Sequence, residues 1–186
     1  MASAGHELPT WATASAERAA HIERVAGLAA AWAERMGIDA TEQARWLRAV
    51  WLHDALRDAD DDELARWAPD ALGPRSLRHG PASAARAEAE GETDRGVLDA
   101  VRYHSVGYAG WDMVGRVLYC ADYLEPGRSF AREWRAELAG RFADDPAGVL
   151  LEVAQERLGH LVRSGWPLIE LTVGFWNHLV ASSGPR

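Results

Sequence analysis

Apolar residues return every three or four positions along nearly the whole of this 186-residue chain, and no stretch alternates as a strand would. Ile22, Val25, Ala29, Trp32 and Met36 form one such stripe, opened by Ser15 as an N-cap and closed by Gly37. Asp39 with Glu42 resembles a capping box, and the next helix runs through Leu47, Val50 and Trp51 to His53-Asp54. The acidic stretch Asp58 to Glu63 leads into a short helix closed by Pro69, and Ala71 to Arg78 reads as a loop turning at Gly73-Pro74. His79-Gly80-Pro81, Asp94 and Asp112 open further helices, and the helix after Asp112 stops at Glu125-Pro126-Gly127. Asp145-Pro146 and Gly165-Trp166-Pro167 read as two more helix starts with Pro near the first position. The pattern predicts an all-α fold: a flexible tail over 1–14, a single helical domain over 15–181 and a frayed tail over 182–186.

Composition narrows the function classes. A hydrophobic content of 48% suits one domain with a sizeable core. The nine Trp residues are expected in the core and as pocket lining, and the sequence leaves a homodimer open. All 20 basic residues are Arg, yet the net charge is −8, which argues against a broad nucleic-acid footprint. A small anionic substrate stays compatible, because a few arginines can build a local positive pocket. Cys120 is the only cysteine, so no intramolecular disulfide can form. It reads as a small buried hydrophobe. With neither a signal-peptide pattern at Met1 to Thr13 nor a membrane-length apolar run, a cytoplasmic protein is expected.

Chemistry enters with a series of side chains in fixed order: His21, His53-Asp54, His79, His104 and Asp122. Imidazole and carboxylate groups together bind transition metals, and six of them suffice for two ions sharing a bridging carboxylate. His21, Val25, Leu28 and Trp32 share a stripe, which turns His21 inward. Val97, Val101 and His104 share another. Taken alone, a buried His is more often a hydrogen-bonded core residue, and Asp122 could equally pair with a nearby Arg. The joint occurrence favours a metal centre between helices, with Asp54 able to bridge and His79 and His104 completing a second site.

The series resembles that of the HD-domain metal-dependent phosphohydrolases. Arg102-Tyr103-His104-Ser105-Val106-Gly107 and Tyr119-Cys120-Ala121-Asp122-Tyr123-Leu124-Glu125-Pro126-Gly127-Arg128 are similar to hallmark segments of the YqeK-type bacterial family within that group. Those proteins are symmetrical dinucleoside-tetraphosphate hydrolases, and the resemblance runs from about Arg18 to about Leu179. It implies a single HD-domain helical bundle with iron as the metal, in two ions. The first would be held by His21, His53, Asp54 and Asp122, the second by Asp54, His79 and His104. The donor types alone admit iron, manganese or zinc. The implied substrate is a dinucleoside polyphosphate, diadenosine tetraphosphate, cleaved to two ADP when metal-bound hydroxide attacks a phosphoanhydride. Asp54, His79, His104 and Arg128 would be catalytic. Arg18, Arg57, Arg128 and Asn177 would bind substrate, with Arg128 the leading phosphate clamp.

Three positions depart from the family pattern. Arg57 stands where Lys is common, Ser83 where a Gly is usual, and Tyr108 to Trp111 is an unusual filling for the loop after His104, placed to line a nucleotide pocket. Two rival readings accompany the main one: another HD-domain nucleotide phosphohydrolase or nucleotidase, and a non-catalytic metal- and nucleotide-binding module.

Overall fold

In a computed structural model, which describes residues 7–71 and 73–183, the chain is helical throughout, as the periodicity predicts. The helices are α1 (Ala16–Arg35), α2 (Ala40–His53), α3 (Asp61–Trp67), α4 (His79–Ala89), α5 (Arg95–Tyr103), α6 (Met113–Leu124), α7 (Arg132–Arg141), α8 (Pro146–Arg163) and α9 (Glu170–Ser182). A single 3₁₀ turn at Arg75–Leu77 occupies the loop expected between Ala71 and Arg78. The expected tails fall partly on residues 1–6 and 184–186, outside the described residues. Residues 7–14, grouped from sequence with the N-terminal tail, lie against the bundle. Thr13 N–H donates to Ala55 O at 2.7 Å, and Trp11 packs beside Leu56 and Leu64.

Local chemistry sets the helix starts. Ser15, Asp39, Asp60, Asp94, Asp112 and Asp145 each accept a backbone N–H of the following turn. The Asp39–Glu42 box is half formed, because the Glu42 carboxylate turns to Arg45 Nη1 (2.7 Å) and Trp46 Nε1 (2.9 Å) instead. Two departures from the sequence reading stand out. Helix α7 lacks an apolar stripe, and only Arg135 and Leu138 of it are buried, so periodicity could not announce it. Helix α9 starts at Glu170 rather than at Gly165-Trp166-Pro167, with Ile169 as an uncapped, extended N-cap.

α1, α2, α5 and α6 pack on one another; α4 lies against α2 and α5, α7 and α8 against α6, and α9 against α8. The core between them holds Ile22, Val25, Trp32, Trp46, Val50, Val101, Val117, Leu118 and Phe142, all essentially inaccessible. Each such large side chain stabilises the fold by about 1.5–3 kcal/mol against leaving it in water. Arg45 ties α2 to the starts of α5 and α6, donating to Asp94 (2.6 Å) and Asp112 (2.8 Å), the two residues that cap those helices. Gly80 lets α4 approach α5 closely. A Cβ there would stand 3.0 Å from the carbonyl oxygens of Val101 and Arg102 and 3.3 Å from the His104 ring. That approach carries His79 to His104. Among the described residues no helix is long and apolar enough to cross a membrane.

Candidate metal centre

The packing of α1, α2, α4, α5 and α6 brings all six predicted ligands to one buried locus, none more than 8% exposed. Five of them fall into two clusters with one shared member. His21, His53 and Asp54 form the first, and Asp54, His79 and His104 form the second. Asp54, just past the end of α2, divides its carboxylate between them. Oδ2 faces His53 Nε2 at 3.6 Å and His21 Nε2 at 3.9 Å, while Oδ1 faces His79 Nε2 at 3.0 Å and His104 Nε2 at 3.6 Å. Asp122 adjoins the first cluster through His21, with Oδ1 at 3.1 Å from Nε2.

The ring orientations are set from behind. His53 Nδ1–H donates to Val50 O at 2.6 Å and His104 Nδ1–H to Val101 O at 2.8 Å, each the carbonyl three residues earlier in its own chain. His21 Nδ1–H donates to Glu125 Oε1 at 3.1 Å. With the proton held on Nδ1, Nε2 is left as the acceptor toward the centre, the tautomer a metal requires, and that of His104 also meets His79 Nε2 and the Ser105 hydroxyl, each at 3.1 Å. His53 Nε2 and His21 Nε2 are buried without a hydrogen-bond partner, and Nε2 of His21 meets Asp122 without the direction of a hydrogen bond. Orphaned buried nitrogens facing a shared carboxylate fit a bound cation, and the mixed His/Asp donors suit a first-row divalent metal. His79 differs: its Nδ1 meets Arg57 Nη1 at 3.0 Å.

Electrostatics agree with this assignment. Burial pushes His53 down to about 4, keeping it neutral and able to ligate. Burial also lowers His79, outweighing the Asp54 carboxylate. His21 moves the other way: burial opposes charge there, but Asp122 and Glu125 together raise its pKa. Burial works against ionisation of Asp54, yet His53, His104 and His79 hold it well below the usual carboxylate range. Asp122 is likewise held low against its burial, by His21 and Arg128. Two anionic carboxylates lined with imidazoles make a cation site.

The predicted arginines surround these ligands. Arg18 Nη1 donates to Asp54 Oδ2 at 2.7 Å, Arg57 meets His79 and donates to Ser76 O at 2.6 Å, and Arg128 Nη2 donates to Asp122 Oδ1 at 2.7 Å. Asn177 is not brought to the site; it lies exposed on α9. Tyr108 lies against Tyr103, and Trp111 packs into the core on Tyr119 and Phe175. Ser83, at the unusual position in α4, is fully buried and accepts the Leu56 N–H at 3.2 Å, bracing the chain just after Asp54. Cys120 is buried as expected, and burial pushes its thiol up.

A cleft of about 530 Å³ opens beside Asp122, lined by Ser105, Tyr123, Arg128, Phe130, Arg157 and His160 among others. Sequence reading did not find Arg157, because α8 joins the centre only through tertiary packing. The buried Glu125, which orients His21, was visible only as part of the Glu-Pro-Gly string. A helical bundle with paired His/Asp clusters beside a cleft that carries Arg128 and Arg157 defines a metal-dependent hydrolase centre suited to phosphoryl substrates.

Comparison with known proteins agrees. The chain belongs to the HD-domain family, whose model matches residues 18–127. It is related to the symmetrical bis(5'-nucleosyl)-tetraphosphatases. That of Bacillus subtilis (strain 168) is 32% identical over 108 residues, 58% of this chain and 57% of the relative. The chain thus matches little more than half of that relative's length. The counterpart of Halalkalibacterium halodurans is 25% identical over 149 residues, 76% of this chain and 78% of the relative. A crystal structure of a predicted HD superfamily hydrolase involved in NAD metabolism, from Clostridium acetobutylicum, shares the fold. Its TM-score is 0.74 at 21% identity, over 90% of this chain and 91% of that one.

Proposed function

We propose that the protein hydrolyses diadenosine tetraphosphate symmetrically to two ADP, with iron held in both clusters. The observation that carries this reading is the shared Asp54, whose two oxygens face separate His-containing clusters beside an arginine-lined cleft. The named activity of the related tetraphosphatases supports the choice of substrate. His21, His53, Asp54 and Asp122 would hold one ion and Asp54, His79 and His104 the other. When bound, the ions supply Lewis acidity toward phosphate oxygens and a water acidified to near-neutral pKa.

The side chains of this protein do the rest. Asp54, His79 and His104 form the catalytic floor on which the central phosphates lie. Arg128, at the edge of the cleft, clamps a phosphate by exchanging one of its Asp122 contacts for a phosphate oxygen. Arg18 and Arg57 offer charge from the opposite sides, next to Asp54 and His79. One water adds across the central anhydride. Its oxygen bonds to one phosphorus, the bridging oxygen leaves with the other ADP, and the two protons of the water are released as the new terminal phosphates ionise. Arg18, Arg57 and Arg128 stabilise the leaving charge, so no dedicated proton donor is needed.

The test is product analysis by ion-exchange chromatography after anaerobic incubation of iron-loaded protein with diadenosine tetraphosphate. ADP as the only product is expected. ATP plus AMP would place the attack elsewhere along the chain of phosphates, and an intact substrate would refute the reading.

A further inference from the structure

Arg157 is a cation whose ion pair with the metal centre, to Asp122, is long. It projects from α8 into the cleft, with its side chain 21% exposed. Its guanidinium lies over the Tyr119 ring at 4.5 Å and near that of Tyr123 at 5.6 Å, which fixes its plane. Nη2 donates to Ser105 O at 3.0 Å, which fixes its rotation. The group therefore sits rigidly beside the metal centre, against Ser105 and Asp122. Ser105 follows His104 and places its hydroxyl 3.1 Å from His104 Nε2, while Asp122 touches His21.

An ion pair with Asp122 accounts for only part of this placement. Arg157 Nη1 stands 3.7 Å from Asp122 Oδ2, beyond hydrogen-bond reach, and Arg128 already donates to that carboxylate at 2.7 Å. Ser105 O uses one of the five guanidinium donors. None of the Arg157 nitrogens is both buried and unpartnered, so the unused donors face the open cleft. Glu156, the neighbouring acid on the cleft wall, is paired with Arg163 at 2.5 Å, so Arg157 has only its long ion pair with Asp122. A planar, pre-oriented guanidinium with free donors is a recognition group for phosphate oxygens.

We propose that Arg157 is a phosphate-binding residue, taking oxygens of the polyphosphate segment that leaves the metal clusters toward Tyr123 and Phe130. The proposal rests on reading the centre as a polyphosphate hydrolase and adds a cation from α8 to the arginines flanking the ligands.

The test measures binding of inorganic tripolyphosphate, and separately of ADP, to manganese-loaded full-length protein by titration calorimetry, with metal content checked in every sample. Arg157→Gln is expected to weaken tripolyphosphate binding roughly 10- to 100-fold, the loss of one charge-assisted contact. Arg157→Lys restores part of it by returning the charge without the fork. Affinity in R157Q within about threefold of wild type overturns the proposal. A second measurement needs no variant: tripolyphosphate is expected to protect Arg157 from an arginine-specific dicarbonyl reagent, read by peptide mass spectrometry. Unchanged labelling of Arg157 at saturating tripolyphosphate overturns it equally. If wild type leaves diadenosine tetraphosphate intact while R157Q loses tripolyphosphate affinity, the substrate reading falls and the phosphate site stands. The reverse pattern removes Arg157 and keeps the substrate.

Discussion

Replacing Glu125 by Gln tests how a residue outside the ligand set governs the metal. The Glu125 carboxylate is 2% exposed and accepts from Arg24 Nε and Gly127 N, both at 2.6 Å, through Oε2. Oε1 accepts from His21 Nδ1 at 3.1 Å. Burial alone would raise its pKa, but Arg24, Gly127 and His21 together hold it below the usual range, so it is an anion. Gln keeps the shape and can keep its oxygen toward the two donors Arg24 and Gly127. Its amide N–H₂ must then face His21 Nδ1, where two donors cannot bond. His21 responds by moving its proton to Nε2, which covers the lone pair aimed at Asp54 and Asp122. Partners behind a metal ligand are worth about 10- to 100-fold in metal affinity. That corresponds to about 1.4–2.7 kcal/mol. The metal-free protein should lose a further ~1.5–3 kcal/mol as charge-assisted hydrogen bonds become neutral ones. Competition against a chromophoric chelator at pH 8 reads the first quantity, and urea unfolding of metal-free protein reads the second. A variant that binds metal within about threefold of wild type would refute the claim that Glu125 sets the His21 tautomer.

Three further outcomes are expected. Asp94 is drawn down to about 2 by Arg45, against burial, so its ion pair stabilises the fold above its unfolded value of 3.8 and fades as pH falls toward 2. Asp94→Asn keeps the helix cap and should cost at most about 2 kcal/mol at pH 7. Urea unfolding at pH 7, 4 and 3 should show the gap to wild type closing, and a gap independent of pH would contradict the ion-pair account. Gly80→Ala should push α4 from α5, destabilise by about 1–3 kcal/mol and separate His79 from His104. Elemental analysis should then find metal lost from one of the two clusters, whereas full loading with unchanged melting would refute the close-approach argument. Removing metal with a chelator should lower the melting temperature. Restoring it at a hundredfold over its dissociation constant returns about 2.7 kcal/mol, measured by differential scanning calorimetry.

Much of this molecule is legible along the chain because its signals are local. A capping Asp or Ser acts on N–H groups two or three residues away, so Ser15, Asp94, Asp112 and Asp145 mark helix starts that the fold keeps. Helix α7 escapes that reading because its anchor is not an apolar stripe. Arg135 donates to the carbonyls of Tyr123 and Glu125, and no periodicity encodes such a contact. The start of α9 was misplaced because a Pro after Gly is compatible with both a helix start and an extended lead-in. The Asn177 contact rested on the family resemblance and the Tyr108–Trp111 pocket lining on neighbourhood in sequence, while packing leaves Asn177 exposed on α9 and Trp111 in the core.

The sequence by itself determined the helices other than α7, the inward turn of His21 and His104, and the residue types able to bind metal. Backbone hydrogen bonds and side-chain spacing within a helix span only a few residues, and those rules are written in order along the chain. Tertiary structure alone decided that the two oxygens of Asp54 divide between two clusters, that Glu125 orients a histidine 104 residues away, and that Arg157 of α8 enters the cleft. Those facts depend on where rigid helices cross. Helix crossings are fixed by the packing of side chains such as Trp32 on Phe142 and by the absence of one at Gly80, to within the few tenths of an ångström that ligand geometry demands.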